Sequence, residues 1–330
     1  MTIEAHAPGR VVLIGDHTDH AGGVSLTMAI DLGTTVTGER AGDGHRLTSD
    51  DADVDTDRFV EAVAHEVAAV RPGRGPGGFA GRISTTVPVG AGLSSSAALE
   101  LSLALAFGFE GTPLALARLG QRAEHRAVGV PSGLLDQLTS ACGVESHALL
   151  LDLSDDSVVP VAMPEGLDVV VVHSGQGRTL AGSAYAERRS ECERAAELVG
   201  PLPHATADDI AAVTDPVLQR RARHVATECE RVRDAAEALR AGDGAALGRL
   251  MLAGHASLRD DFEVSTDALD ATVSRLMAMP GVLGARLTGA GFGGCVVAVC
   301  EQGALPQPAE ITGRGWLVRP ADGAGVREPG

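Results

Sequence analysis

Three glycine-rich stretches hold most of the residues whose types and spacing could do chemistry. In the middle one, ISTTVPVGAGLSSSAALE, a β-branched run leads into Gly90, Gly92, Leu93, Ser94, Ser95 and Ser96, and an apolar helical pattern starts near Ser94 to Ser96. A turn of this kind points backbone N–H groups out of a helix N-terminus, where roughly half a positive charge resides. That makes an anion site, and phosphate suits it. Gly90 and Gly92 let the backbone approach phosphate oxygens, and the three hydroxyls can donate to phosphate or coordinate Mg²⁺. Ordinary capping is the plainer reading of the same serines. The first stretch, GRVVLIGDHTDHAGG, crowds Arg10, Asp16, His17, Asp19 and His20 beside the apolar run Val11 to Ile14. Charged residues on a glycine-bounded loop after a strand serve binding, unless the loop is simply a solvated turn. His17, Asp19 and His20 lack the distant third ligand that a metal site needs. The third stretch, ARLTGAGFGGCVVAVC, reads as strand, glycine loop (Gly289, Gly291, Gly293), strand. Glycines are entropically costly, so close backbone approach to a ligand is the expected reason for them. The segment after Gly294 is short and β-branched rather than helical, which excludes a dinucleotide fingerprint.

The elements that must position these loops can be read from periodicity. Thr34 to Thr37, Ile83 to Val87, Leu149 to Leu153, Val169 to Val172 and Val296 to Cys300 are β-branched or aliphatic runs bounded by turn formers, and read as strands. Helical spacing appears over Asp57 to Val70 and from Pro113 behind a Thr112 cap. It recurs over Ser183 to Val199, Val217 to Leu239, Gly244 to Leu258 and Thr266 to Met279. Arg71 to Gly78 reads as a loop, Pro201 to Asp209 as a connection, and Pro320 to Gly330 as a frayed tail. Strands dominate the first half and helices the second. An α+β protein in two domains is expected, residues 1–165 and 166–330.

Composition removes whole classes. The 330 residues exceed the usual size of one core, which places the default site in a cleft between domains. The sequence contains no Lys and no Asn, so Schiff-base chemistry, the P-loop lysine and N-glycosylation are all excluded. A net charge of −17 repels a phosphate backbone, and eight aromatics offer few platforms for bases, so nucleic acid is not an expected partner. No apolar run approaches the ~18 residues of a membrane span, and the N-terminus has no signal-peptide pattern. Cys142, Cys192, Cys229, Cys295 and Cys300 form an odd set without CxxC, which suits neither a disulfide framework nor zinc. A reducing cytoplasm is the expected location.

Taken together, the three stretches resemble the GHMP kinases (galacto-, homoserine, mevalonate and phosphomevalonate kinases), and within them the galactokinases. GRVVLIGDHTDHAGG is similar to the sugar signature, VPVGAGLSSSAALE to the shared ATP loop, and LTGAGFGGCVVAV to the C-terminal glycine loop. GQRAEHRAVGVPSGLLDQLTSACG, SAYAERRSECE, RRARHV and HASLRDDFEVS resemble further segments of the same family. The resemblance implies a ribosomal protein S5 domain 2-like N-terminal domain and a ferredoxin-like C-terminal domain. It implies ATP-dependent phosphorylation of the anomeric hydroxyl of galactose, giving α-D-galactose 1-phosphate for the Leloir pathway, with Mg²⁺.

Carried onto this sequence, the resemblance makes Asp136 the residue that accepts or orients the proton of the attacking hydroxyl, with Arg10 beside it. Ser96 and Glu124 take the Mg²⁺ role. Asp16, His17, Asp19, Gly133 and Tyr185 take the sugar, and Gly90, Gly92, Leu93, Ser94, Ser95 and Ser96 the ATP. The implied partners are sugar and ATP alone, and the implied state is a monomer or weak dimer. Two departures stand out. Galactokinases usually carry Glu where this chain has Asp16, and Tyr-Asn where it has His20-Ala21. One lost methylene retracts the carboxylate by about 1.5 Å, which exceeds the usable hydrogen-bond range. These departures keep a second reading open, a kinase of a related aldose such as arabinose, talose or a C6-modified galactose. A third, from another class, is a non-catalytic sensor of sugar and ATP, although the intact Ser94 to Ala97 does not favour it.

Overall fold

The computed structural model describes residues 2–42, 44–50, 56–71, 77–129, 132–177 and 181–327. Its strands are β1 (Ile3–Ile14), β2 (Val24–Ala41), β3 (His45–Ser49), β4 (Gly78–Thr85), β5 (His147–Asp152), β6 (Ser157–Ala162), β7 (Leu167–His173), β8 (Val282–Leu287), β9 (Cys295–Glu301), β10 (Gly315–Val318) and β11 (Gly325–Arg327). Two sheets result. The first runs β11-β1-β2-β4-β3, with β5 also on β2 and β6 on β5, and the second runs β10-β7-β9-β8. All pairings are antiparallel except β3 with β4.

Helices α1 (Asp57–Val70), α2 (Ser95–Ala106), α3 (Pro113–Val128) and α4 (Leu135–Cys142) gather on the first sheet. Helices α8 (Gly244–Asp260), α9 (Asp267–Met277) and α10 (Ala309–Thr312) pack on the second, and α7 (Pro216–Arg240), with α5 (Ala181–Val199) and α6 (Ala207–Ala212) beside it, lies against the first. α1 spans the residues expected from its spacing, and Thr112 caps α3 by accepting the Ala115 amide at 3.2 Å. α4 is not foreseen, because eight residues hold barely two turns of periodicity.

The run Val11 to Ile14 is continuous rather than alternating because β1 is buried on both faces. Val12 joins the apolar cluster under α1 to α4, whereas Val11 and Leu13 join the cluster of α7, β7 and β9. A fully buried side chain of this kind stabilises by about 1.5–3 kcal/mol, so the strand that leads into the first glycine stretch is anchored between two cores. Helix α7 crosses beneath the same sheet and touches β1, β2 and β6. Among the described residues no helix is long and apolar enough to cross a membrane.

The expected frayed tail is overturned over residues 320–327, while 328–330 lie outside the described residues. β11 pairs with β1 through Ala5 and Val326, Ile30 bridges Pro320, and the amides of Ala321, Gly323 and Ala324 donate to Ala29, Gly143 and Ser140 carbonyls. The open edge of β1 has unpaired backbone groups that β11 satisfies, a need that composition alone does not reveal. Arg71 is the C-cap of α1 and Gly78 begins β4, while 72–76 of the expected loop lie outside the described residues. Pro201 to Asp209 contains a 3-10 turn at Leu202–His204 and the capping box of α6, formed by Thr206 and Asp209.

Candidate active site

The two short elements that end in glycine turns, β1 and the chain entering α2, run side by side. Gly9 is a contact point, since a Cβ there would lie 2.6 Å from the Leu93 carbonyl, and that carbonyl accepts the Arg10 amide at 3.1 Å. Arg10 thereby arrives beside the serine turn. Its Nη1 donates to the Gly92 carbonyl at 2.6 Å, its Nε to Asp136 Oδ1 at 2.8 Å and its Nη2 to Asp136 Oδ2 at 2.7 Å. This is a bidentate guanidinium–carboxylate pair. Arg10 is buried and Asp136 is about one-third exposed.

The serine turn does not cap its helix through a side chain. Ser94, in left-handed conformation at φ 58°, makes no side-chain cap bond, and its hydroxyl donates to Asp136 Oδ2. Ser96 Oγ donates to Glu124 Oε1 at 3.0 Å. Gly90, at φ 72°, faces open space, and Leu93 turns its side chain into the core, so this residue offers the turn only its backbone. Helix α4 supplies Asp136 and Gln137 in succession. Gln137 Nε2 donates to Glu124 Oε2 at 3.0 Å and to Glu100 Oε2 at 3.1 Å, and Ser132 Oγ also donates to Glu124. Glu100 is fully buried on α2. Burial, and then the nearby Glu124 and Asp136 carboxylates, raise its pKa well above the usual range.

Beside the Arg10–Asp136 pair lies a cavity of about 200 Å³ that Asp16, His17, Asp19, Glu124, Gly133, Tyr185 and Gly289 help to line. All the residues expected to hold a sugar or perform the chemistry converge on this one cavity. A Cβ on Gly133 would sit 1.8 Å from Asp19 Oδ2, so glycine here leaves the Asp19 carboxylate its place in the cavity. Tyr185 stands with its ring 5.6 Å from that of His17, and the Asp19 carboxylate together with burial holds its phenol protonated. His17 is buried against Phe262, ring centroids 4.7 Å apart, and its Nε2 lies 3.2 Å from the Ala290 carbonyl. Burial, reinforced by His20 and His224, pushes His17 well below its ordinary pKa and leaves the ring neutral.

Asp16 differs from its neighbours. Oδ1 accepts the Gly289 amide at 2.7 Å and Oδ2 accepts Arg286 Nη2 at 3.0 Å. Burial raises its pKa to about 7 against the opposing pull of Arg286 and that amide.

Sequence reasoning misses Arg286, Glu228, His224 and Gln137. A signal was present in α7, where His224 and Glu228 occupy the apolar face together with Val225, Cys229 and Val232. The third glycine stretch also needs correction. A Cβ on Gly291 would meet the Val264 carbonyl at 2.4 Å, and one on Gly293 the Gln176 and Gly177 carbonyls at 2.9 Å. These two glycines admit the protein's own backbone rather than a ligand, and only Gly289 borders the cavity. Among the described residues no cluster of three or more His, Cys, Asp or Glu could hold a metal by itself.

Comparison with known proteins agrees along the whole chain. The family model of the galactokinase galactose-binding signature matches residues 2–40, that of the GHMP kinases N terminal domain residues 58–144, and that of the GHMP kinases C terminal residues 235–309. The galactokinase of Homo sapiens is 39% identical, covering 97% of this chain and 91% of its own length. The galactokinase of Chloroflexus aggregans is also 39% identical, with 96% and 88% covered. The galactokinase of Lactococcus lactis, solved in complex with galactose, superposes with a TM-score of 0.88 at 29% identity, covering 98% of this chain and 95% of that one. The mevalonate kinase of Methanococcus jannaschii matches at a TM-score of 0.69 and 20% identity, with 98% of each chain covered, which speaks to the fold alone.

Proposed function

Since the chain belongs to the galactokinase family of the GHMP kinases, we propose that it moves the γ-phosphoryl group of ATP onto the anomeric hydroxyl of galactose, giving α-D-galactose 1-phosphate. It is an ATP-using phosphotransferase that acts on a sugar hydroxyl. Such a transfer passes through a loose transition state and needs positioning and charge neutralisation rather than covalent help, which is why the absence of lysine is no obstacle.

The observation that carries the residue-level reading is the Arg10–Asp136 pair, bonded at 2.8 and 2.7 Å between the serine turn and the cavity. Asp136 accepts or orients the proton of the attacking hydroxyl. Arg10 holds that carboxylate in place and lends positive charge near the transferring group. The open face at Gly90 and the free amides at the start of α2 receive the triphosphate. His17, Asp19, Gly133 and Tyr185 surround the sugar.

Ser96 and Glu124 fit a hard cation, because two oxygen donors stand 3.0 Å apart at the end of the phosphate turn, and Mg²⁺ commonly binds through one or two such groups plus phosphate oxygens. When bound, Mg²⁺ neutralises phosphate charge. Five free cysteines support a reducing, cytoplasmic setting.

The test is ADP release from ATP with galactose, arabinose, talose and C6-modified galactoses. Galactose is expected to turn over best. A better aldose would overturn the substrate, and sugar binding without ADP release would favour a sensor.

A further inference from the structure

Arg286 touches neither the phosphate turn nor Asp136, yet it is among the largest fully buried side chains of the molecule. Its Nη1 donates to Glu228 Oε1 at 2.6 Å and its Nη2 to Asp16 Oδ2 at 3.0 Å. Glu228 Oε1 also accepts the Gly15 amide at 2.9 Å, and Glu228 Oε2 accepts Arg231 Nε at 2.8 Å. The Asp16 carbonyl accepts His224 Nε2 at 3.2 Å, while Asp16 Oδ1 takes the Gly289 amide at 2.7 Å. Room for this group is built into α8, where a Cβ on Gly254 would lie 2.6 Å from Arg286 Nη1. A glycine inside a helix costs about 1 kcal/mol relative to alanine.

Through these bonds β8, α7 and the last glycine loop all reach Gly15 and Asp16, the two residues that open the turn bearing His17 and Asp19. Buried ion pairs are weak sources of stability, because desolvation offsets most of the attraction. Such a group supplies a fixed location here. Both carboxylate oxygens of Asp16 are already engaged, and the residue is only 3% exposed although it borders the cavity.

We propose that Arg286 and Asp16 are a positioning pair: Arg286 and the Gly289 amide grip Asp16 and so hold His17 and Asp19 over the sugar, and Asp16 itself is not a sugar ligand in this chain. The inference rests on the kinase reading of the cavity and adds a role for two residues outside the chemistry.

The test compares wild type with Asp16→Asn, which keeps the volume but turns an amide N–H₂ toward Arg286. KM and kcat are measured for galactose and for its 2-, 3-, 4- and 6-deoxy forms. A displaced turn acts through the hydroxyls that His17 and Asp19 contact, so the galactose KM is expected to rise about 10- to 100-fold with the ATP KM unchanged, and the pattern across the deoxy sugars is expected to match that of Asp19→Asn and His17→Gln measured alongside. Arg286→Lys keeps the charge but cannot fork to two carboxylates, and is expected to give the same pattern. If a deoxy sugar escapes the Asp16→Asn penalty but not those of Asp19→Asn and His17→Gln, Asp16 binds the hydroxyl which that sugar lacks, and the proposal is overturned. Unchanged sugar KM values in both variants overturn it as well. Wild-type turnover of galactose reports on the kinase reading, and the pattern across analogues reports on the pair.

Discussion

Replacing Asp136 by Asn separates chemistry from architecture, because three donors converge on that carboxylate: Arg10 Nε at 2.8 Å, Arg10 Nη2 at 2.7 Å, and the Ser94 hydroxyl. An amide of the same shape keeps one acceptor and presents N–H₂ to a guanidinium that has nothing to accept it. Losing a hydrogen bond to a charged group costs about 1.5–3 kcal/mol when buried, and the low end applies because Asp136 is about one-third exposed. In a chain of this length that lowers the melting temperature by only a few degrees, so the variant remains folded at assay temperature. Turnover suffers far more. A positioned acid–base group contributes about 10²–10⁴ in rate, equivalent to about 2.7–5.5 kcal/mol of barrier. Coupled ADP-release kinetics with saturating galactose and ATP measure it, with the ATP KM expected to stay close to wild type, since the phosphate turn keeps its backbone. A folded variant whose kcat falls by less than about threefold, ~0.65 kcal/mol, would falsify the assignment of the proton to Asp136.

Glu124→Gln keeps the bond from Ser96 but removes a charge, and is expected to raise the Mg²⁺ concentration needed for half-maximal rate about tenfold. Calorimetric titration of Mg²⁺–ADP should show the same weakening, and equal Mg²⁺ response in both proteins would remove Glu124 from that role. Gly133→Ala drives a methyl into Asp19, 1.8 Å from Oδ2, so the sugar KM should rise by at least about tenfold with the ATP KM unmoved. A normal sugar KM would mean that Asp19 is free to move aside. Acid should destabilise the fold. Burial holds His6 and His224 at about 4, and His17 well below its ordinary value, so below pH 6.5 the unfolded chain takes up protons that the native state refuses. Stability is therefore lost as pH falls from 6.5 toward 4, by about 2 kcal/mol at pH 5 for the fully buried His224 and by less for His6, which solvent reaches. Asp16, raised to about 7, and Glu100, raised well above its ordinary value, work in the opposite sense as pH falls toward 4, but they are two carboxyls against these three histidines, with His20 and His255 lowered by burial as well. Urea midpoints at pH 7 and pH 5 decide the matter: a midpoint that holds or rises at pH 5 contradicts the balance.

The elements were legible wherever their signal is local. The β-branched runs, the apolar spacing of α1 and the Thr112 cap are satisfied within a few residues of themselves, because backbone geometry, side-chain period and capping bonds reach no further than one or two turns. Short or edge pieces were harder. β11 and α4 carry too few residues for a period, and each forms because a neighbour offers it unpaired backbone or apolar surface.

The sequence by itself determined the chemistry on offer: a glycine–serine turn able to hold phosphate, a cluster of acid, base and guanidinium groups, and no lysine to take their place. Only the tertiary structure decided who meets whom. Arg10 finds Asp136 across 126 positions, and Asp16 finds Arg286 across 270. The physical reason is that desolvation makes a buried charge depend on its partner, and the partner is chosen by how sheets and helices stack rather than by anything adjacent in the chain. Asp16 taken alone reads as a carboxylate free to meet a ligand; in the fold both of its oxygens are already bonded to Arg286 and the Gly289 amide.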